Sequence, residues 1–257
     1  MANSKLTLSE RINRAVAATT CEKIMSLHCL YHAGGIHREE IEEFWTKRED
    51  CTWSHNFGQM DNKTNYIECY ADEQEANAVQ IYEQVVPIYP EVSKVKDRRA
   101  LIEVAMHLLA SPVIEVAEDG QSAKGLWYTP GCIFSTLNPQ KAKEGMWMWE
   151  RYGADFILEN NKWVYLNLKV CCDMAGMMDA DNWPFMEDSG EPQSDKEEDS
   201  SKPDSSDVSV GIPGPLHYVL SNTQVPQERP YIPQPYRTFK ETYSYATLTG
   251  IYEEEGK

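Results

Sequence analysis

Two pairs of strand-like runs, each joined by a turn sequence, constrain the fold of this chain more than any other feature. Residues 113–116 (VIEV) and 123–128 (AKGLWY) flank the dipeptide Asp119-Gly120, which is a strong short-range hairpin signal. A second pair, GMWMWERYGADFIL and WVYLNLKVCCD, is joined by residues 159–162. This part of the chain therefore predicts an antiparallel meander.

The second pair of runs also alternates in chemistry. One set of side chains combines two tryptophans with an arginine, and the interleaved set combines two methionines with a glutamate: Trp147, Trp149 and Arg151 against Met146, Met148 and Glu150. Because successive side chains of a strand point to opposite faces, the pattern predicts a sheet with two differently solvated faces.

Helical patterns precede the strands. Residues 9–32 carry apolar side chains at helical spacing, and Gly34-Gly35 breaks the pattern. A second helix is predicted from about His37, where Glu39-Glu40 suits the positive end of the helix dipole, and a third is predicted over residues 72–86. Helices followed by an antiparallel meander are typical of an α+β fold in which the sheet wraps the helices.

Changes in composition divide the chain into three regions. Residues 1–185 hold the helices and strands and predict one α+β domain. Residues 186–209 predict an acidic disordered linker, because residues 187–207 hold nine acidic residues, two lysines and no large apolar side chain. Residues 210–257, rich in proline and aromatic residues, predict an extended arm across the domain or a neighbouring subunit, with Tyr231, Tyr236 and Phe239 as anchors.

Charge and cysteine content limit the binding partners and the cellular compartment that we expect. The net charge of −17 argues against a nucleic acid partner, which would require clustered Lys and Arg. No run of about 18 apolar residues occurs, and residues 1–23 lack the apolar core of a secretory signal, so we expect a cytoplasmic protein with no membrane contact. Seven cysteines without a C-x-x-C pair predict buried free thiols.

Several motifs of common enzyme classes are missing from the sequence. There is no G-x-G-x-x-G after a strand, no G-x-x-x-x-G-K-[ST] and no G-x-S-x-G. Dehydrogenase, kinase and serine hydrolase functions therefore have no support, and we expect no cofactor.

His107 stands directly before the first predicted hairpin and is the main candidate for chemistry. A lone histidine there could be a core residue, a metal ligand or a catalytic base. His28 and His32 lie four residues apart on one helix face, which is the spacing of two metal ligands. No carboxylate lies between them as it does in a zinc protease motif, so we expect no metal site.

Several segments together resemble a known family. They are Tyr31 late in the first helix, Met106-His107 leading into PVIEV, the Asp-Gly hairpin, AKGLWY, and DFILENNKWVYLNLKV. In this order and spacing they resemble the SnoaL-like family of the nuclear transport factor two-like superfamily, over roughly residues 8–172 and nearest the bile acid dehydratase and scytalone dehydratase-like branch. The resemblance implies a cone-shaped, curved antiparallel sheet (a cystatin-like α+β roll) wrapped around the N-terminal helices, with an apolar pocket.

The same resemblance implies a reaction and two catalytic residues. His107 would be the general base and acid, and Tyr31 would donate a hydrogen bond to the oxygen on which charge develops. The implied activity is a cofactor-independent lyase (dehydratase), or an isomerase or cyclase, acting on a small hydrophobic ring compound with a carbonyl group. A non-catalytic binding or accessory subunit with the same fold is the alternative.

Three positions depart from the family pattern. Ile36 and Gly131 stand where the dehydratase branch has Asp residues, and Cys172 stands where an arginine is expected. Loss of a paired carboxylate leaves His107 in need of another orienting group. The nearest candidates in the sequence are His32, Asp155 and Asp173.

Aromatic residues of the predicted strands are candidates for contacts with a flat, hydrophobic ligand. The expected ligand-binding set is Trp53, His55, Trp127, Tyr128, Trp147, Trp149 and His32. Because the edges and outer face of such a sheet need covering, we also expect a homo-oligomer, a dimer or a trimer.

Overall fold

A computed structural model describes residues 6–55, 58–94, 98–101, 104–135, 144–177 and 233–246 of the 257-residue chain. It confirms the α+β class. The helices are α1 (Leu8–Gly34), α2 (His37–Phe44), α3 (Lys63–Tyr66) and α4 (Asp72–Val85), and the strands are β1 (Thr52–His55), β2 (Gly58–Asp61), β3 (Val104–His107), β4 (Ala110–Val116), β5 (Ser122–Ser135), β6 (Glu144–Glu159) and β7 (Lys162–Met177).

The ends of α1 follow from local side-chain chemistry. Thr7 and Glu10 form a capping box, in which each side chain accepts from the other residue's backbone N–H. At the C-terminal end Gly35 adopts a left-handed conformation with φ 68°, and its N–H bonds to the carbonyls of the last turn. A Cβ at Gly35 would lie 2.9 Å from the carbonyl oxygen of Arg99, so packing also favours glycine there.

Both predicted hairpins are confirmed. β4 pairs with β5 around Asp119-Gly120, and β5, β6 and β7 form a long antiparallel meander. The turn between β6 and β7 consists of Asn160 and Asn161, both with positive φ, a conformation that asparagine tolerates better than most residues.

The sheet is curved, open and mixed. Its order is β2-β1-β7-β6-β5-β3, with β4 also paired to β5, and irregularities in register interrupt the β4–β5 and β6–β7 ladders. β1 runs parallel to β7, which differs from the purely antiparallel sheet expected. The chain enters β1 from the helical layer, so no hairpin turn sets the direction of that strand.

The two faces of the sheet have different neighbours. The inner face packs on α1, and Trp127, Tyr152 and Phe156 share one core with Cys21 and Met25 of that helix. The opposite, outer face carries Arg151, Gly153 and Asp155 of β6. Successive side chains of β6 alternate between the two faces, so only every second residue can meet the helices.

Residues 233–246 of the predicted arm pack on the outer face. The ring of Tyr245 lies over Gly153, and the hydroxyl of Tyr236 is 3.2 Å from that of Ser122. Asp155 is fully buried there. It pairs with Lys124 at 2.7 Å and accepts from the Ser244 hydroxyl and the Tyr245 N–H. Tyr236 and Phe239 are thus contacts of the arm, whereas Tyr231 and residues 186–209 lie outside the described residues.

Six of the seven cysteines are buried, as predicted. Among the described helices, none is long and apolar enough to span a membrane.

Candidate functional site

His107 is the last residue of β3 and lies at the inner face of the sheet. It pairs with Gly131 of β5, and only 9% of it is exposed. Its ring lies 4.9 Å, centre to centre, from that of His32 on α1. The sheet and the first helix together therefore enclose the imidazole.

Glu150 supplies a buried carboxylate to His107. It lies on the inner face of β6, 3% exposed, with Oε2 3.2 Å from Nδ1 of His107 and Oε1 3.4 Å from Nε2 of His55. Burial acts to raise the pKa of Glu150, but hydrogen bonds and charge from His107 and His55 outweigh it, and the pKa falls to about 2. The carboxylate is therefore ionised at neutral pH.

Tyr152 lies two residues along β6 on the same face. Its hydroxyl oxygen is 3.2 Å from Nδ1 of His107. Burial, followed by the charge of Glu150, raises the pKa of Tyr152 well above its ordinary value. The phenol therefore stays protonated beside the ionised carboxylate, and it belongs to the same hydrogen-bonding group.

These contacts give the two nitrogens of His107 different roles. Nδ1 is hydrogen-bonded to the Tyr152 hydroxyl and lies 3.2 Å from an ionised carboxylate, whose negative charge favours the proton on this nitrogen in the neutral imidazole. Nε2 is buried and has no hydrogen-bond partner among the described residues. His107 is thus oriented as a base whose lone pair is on Nε2, with Glu150 placed to stabilise the imidazolium after protonation.

Further histidines surround this pair. The His32 ring lies 5.0 Å from that of His37 and 6.2 Å from that of His28, centre to centre. His28 forms a second buried pair with Glu40, at 2.7 Å between Nδ1 and Oε1. Burial, then repulsion from His28, lowers the pKa of His37 to about 4. In the described part of the chain, no three of the His, Cys, Asp and Glu side chains are grouped so that they could hold a metal ion.

Neither protein-family models nor curated proteins match the sequence. Among solved structures, the chain is similar to an NTF2-like protein with a cystatin-like fold from Novosphingobium aromaticivorans, at 12% identity and a TM-score of 0.41 over 67% of this chain and 92% of that one. It is also similar to a type 2 hexachlorocyclohexane dehydrochlorinase, LinA, at 9% identity and a TM-score of 0.45 over 70% and 99%. A third similar structure is LinA-type3 from Novosphingobium barchaimii, at 10% identity and a TM-score of 0.43 over 66% of this chain and 95% of that one. None of these identities is high enough to carry a residue's role to this chain.

The structure brings four of the predicted site residues together. Three of them belong to the histidine cluster, which consists of His28, His32, His37, His55 and His107. These three are His107, His32 and His55, and the fourth residue, Trp53, stacks on His55 at 5.9 Å between ring centres. Trp127 also points inward, but it is 1% exposed and packs on Phe156 in the core.

The other predicted residues lie elsewhere. Tyr128, Trp147 and Trp149 are 43%, 44% and 48% exposed and project from the outer face, because their parity is opposite to that of Glu150. Tyr31 packs on Phe44, and its hydroxyl bonds to Glu43 at 3.4 Å. None of the contacts of Tyr31 is with His107.

Sequence reasoning missed Glu150 as the orienting group. Of the three candidates, only His32 contacts His107; Asp173 is paired with Arg151 and Asp155 with Lys124 on the outer face. The alternation of β6 placed Glu150 on one face with Met148 and Tyr152, but it did not show that this face is the inner one. At Gly131 a Cβ would lie 2.4 Å from the Met106 carbonyl oxygen, so this backbone leaves no room for the carboxylate of the dehydratase branch.

Proposed function

We propose that this chain is a SnoaL-like member of the nuclear transport factor two-like superfamily and an acid–base enzyme, a cofactor-independent lyase or isomerase. The observation that carries the proposal is the state of His107: Nδ1 is hydrogen-bonded to the Tyr152 hydroxyl and lies 3.2 Å from Oε2 of buried Glu150, and Nε2 is left without a partner among the described residues. Such a His–carboxylate pair in a water-poor site is suited to removing a proton from carbon.

The reaction begins when Nε2 of His107 takes a proton from a carbon next to a carbonyl. The electron pair of the C–H bond moves to the carbonyl oxygen, and the imidazolium is stabilised by Glu150. The same proton then returns to another carbon in an isomerisation, or to a departing hydroxyl, which leaves as water, in a dehydration. The two outcomes differ only in the atom that receives the proton from His107.

Tyr152, in place of Tyr31, is the tyrosine of this mechanism. Its hydroxyl contacts Nδ1 of His107 and does not lie at Nε2, so we assign it a positioning role. It holds the imidazole and carboxylate in one arrangement, as outer partners of a catalytic histidine do.

The surroundings support a hydrophobic, ring-shaped substrate. Trp53 stacks on Tyr66 and His55, and its ring centre lies 4.9 Å from that of the tilted Tyr70 ring, which gives the cluster an aromatic wall. The low pKa of His37 leaves it neutral at neutral pH, so it adds no positive charge to the cluster. A flat compound with one carbonyl group matches this mixture of rings and hydrogen-bonding nitrogens.

The experiment that tests the proposal is exchange of carbon-bound protons in deuterated water, because it detects proton removal before the full reaction is known. A panel of steroid, phenolic and polyketide-derived ring ketones is incubated with the protein, and deuterium uptake is followed by mass spectrometry. His107→Asn keeps an amide that can reach Glu150 but removes Nε2, and we expect exchange to fall by about 10²-fold or more.

A matched pair of tyrosine variants tests the mechanism further. Tyr152→Phe should slow exchange about fivefold, corresponding to one hydrogen bond of about 1 kcal/mol, whereas Tyr31→Phe should not change it. Exchange that survives His107→Asn would show that the assignment of His107 is wrong. Ketone binding without any exchange would favour the non-catalytic alternative.

We also propose that the chain forms a homo-oligomer through its outer face. Tyr128, Trp147 and Trp149 expose large aromatic surface there, on neighbouring strands. Light scattering should give a dimer or trimer for the wild type and a lower mass for Trp147→Ser/Trp149→Ser; an unchanged mass would exclude this face as the interface.

A further inference from the structure

The histidine cluster contains a further hydrogen bond, between Tyr70 and His32. The hydroxyl oxygen of Tyr70 lies 3.1 Å from Nδ1 of His32. Tyr70 comes from a π-helical turn, Ile67–Ala71, between α3 and α4, and such turns re-aim side chains and occur often at functional sites.

The direction of this hydrogen bond fixes the tautomer of His32. Burial, followed by the charges of Glu40 and Glu150, raises the pKa of Tyr70, so its hydroxyl keeps its proton. That hydroxyl makes no other hydrogen bond within the described ranges, so donation to His32 is the only use of its proton. Nδ1 of His32 is then the acceptor, and the ring proton is on Nε2.

The position of His32 places its ring beside the base. Its ring is tilted by 52° against that of His107, at 4.9 Å between centres. Unlike His107, it is partly exposed, and its Nε2 makes no hydrogen bond to the residues that the structure covers. A small molecule in contact with Nε2 of His107 therefore lies next to His32.

The charge state of His32 suits a donor that does not transfer its proton. Loss of water around the half-buried ring lowers its pKa well below the ordinary value, and repulsion from His37, His107, His28 and His55 lowers it further. His32 thus remains a neutral imidazole when His107 becomes an imidazolium. A neutral N–H can stabilise negative charge on a carbonyl oxygen by hydrogen bonding alone.

We propose that His32 is a second catalytic residue: Tyr70 holds its imidazole in one tautomer, and its Nε2–H donates to the substrate oxygen that becomes negative as His107 removes a proton. This assignment rests on the proposed function. His107 takes the proton from carbon, the electron pair moves to oxygen, and the His32 hydrogen bond strengthens without moving a proton. Loss of one such donor typically lowers the rate about 10²-fold to 10³-fold.

The first test needs no ligand. Nitrogen-15 NMR of the imidazole rings should show His32 with a bare Nδ1 and a protonated Nε2, unchanged from pH 7.5 to pH 5. Tyr70→Phe should give a mixture of tautomers. Tyr66→Phe is the matched control, since the Tyr66 hydroxyl has no partner among the described residues, and it should leave the His32 signals unchanged. A proton on Nδ1, or an imidazolium at pH 7, would overturn the inference.

The second test uses 2-naphthol, whose phenolic oxygen stands in for an enolate, with affinity measured by fluorescence. His32→Leu should weaken binding about tenfold, whereas His32→Gln, whose amide N–H can take the place of Nε2–H, should bind within about threefold of the wild type. Circular dichroism confirms that both variants fold. Equal affinity of the wild type and His32→Leu would overturn the role of His32 alone. A wild type that binds no 2-naphthol would count against the site itself, and so against the proposed function as well.

Discussion

Replacement of Glu150 by glutamine should change how the stability of the protein depends on pH. Hydrogen bonds from His107 and His55 hold the pKa of Glu150 at about 2, against an ordinary value of 4.5. Through linkage, this difference corresponds to about 3 kcal/mol of stability. Because the folded-state pKa is the lower one, the contribution is complete above pH 4.5 and is lost as pH falls toward 2.

The assay is urea unfolding of wild type and Glu150→Gln at pH 6 and at pH 3. Between these values the wild type should lose about 2 kcal/mol more than the variant, because the amide of the substituted side chain cannot take up a proton. Glu83→Gln is the control: Glu83 is an exposed carboxylate on α4, and its removal should leave the pH dependence of the wild type unchanged.

An equal loss of stability in wild type and Glu150→Gln would refute this reasoning. It would mean that the carboxylate of Glu150 has no charged or hydrogen-bonded partner that distinguishes the folded state from the unfolded chain. His107 would then lack its orienting group, and the proposed base would have no defined tautomer.

Two further substitutions test the packing around the site and the arm. Gly131→Ala should destabilise the protein by about 1–3 kcal/mol and shift the NMR signals of the His107 ring. The new Cβ would lie 2.4 Å from the Met106 carbonyl oxygen and 3.2 Å from Nδ1 of His107. An unchanged melting temperature would show that β3 can move freely. Tyr245→Ala should cost about 3–5 kcal/mol by thermal or urea unfolding, because Tyr245 is 1% exposed on Gly153, and a cost below about 0.5 kcal/mol would show that residues 233–246 do not dock in solution.

The elements that the sequence predicted well are those with local signals. α1 has a capping box and a terminal glycine, so its ends depend on neighbouring residues. The β6–β7 turn is formed by two asparagines, so the register of that hairpin is also set locally. The parallel pairing of β1 with β7 has no such signal. It brings together Thr52 and Asn167, which are distant in sequence, and only the packed fold decides the direction of that strand.

Only part of the aromatic wall of the site was predicted, because the face to which a strand residue points is also decided by the packed fold. The alternation in β6 correctly separated Trp147 and Trp149 from Met148 and Glu150, but it did not say which set faces the helices. Each face carries a charged residue, Glu150 or Arg151, so polarity could not decide. The tryptophans, the more hydrophobic set, lie outside, whereas the inner face holds a glutamate whose charge is balanced by histidines from β1 and β3.

A histidine and its carboxylate have to meet in space, and the sequence position of the carboxylate is free to vary. His107 pairs with Gly131, Gly131 pairs with Met148, and Glu150 is two residues further along β6 on the same face. A Cβ at Gly131 would lie 3.2 Å from Nδ1 of His107, so the imidazole lies directly over this position of β5. The Gly131 that appeared in the sequence as a missing aspartate therefore leaves room for the imidazole of His107, which contacts the carboxylate of Glu150 on β6.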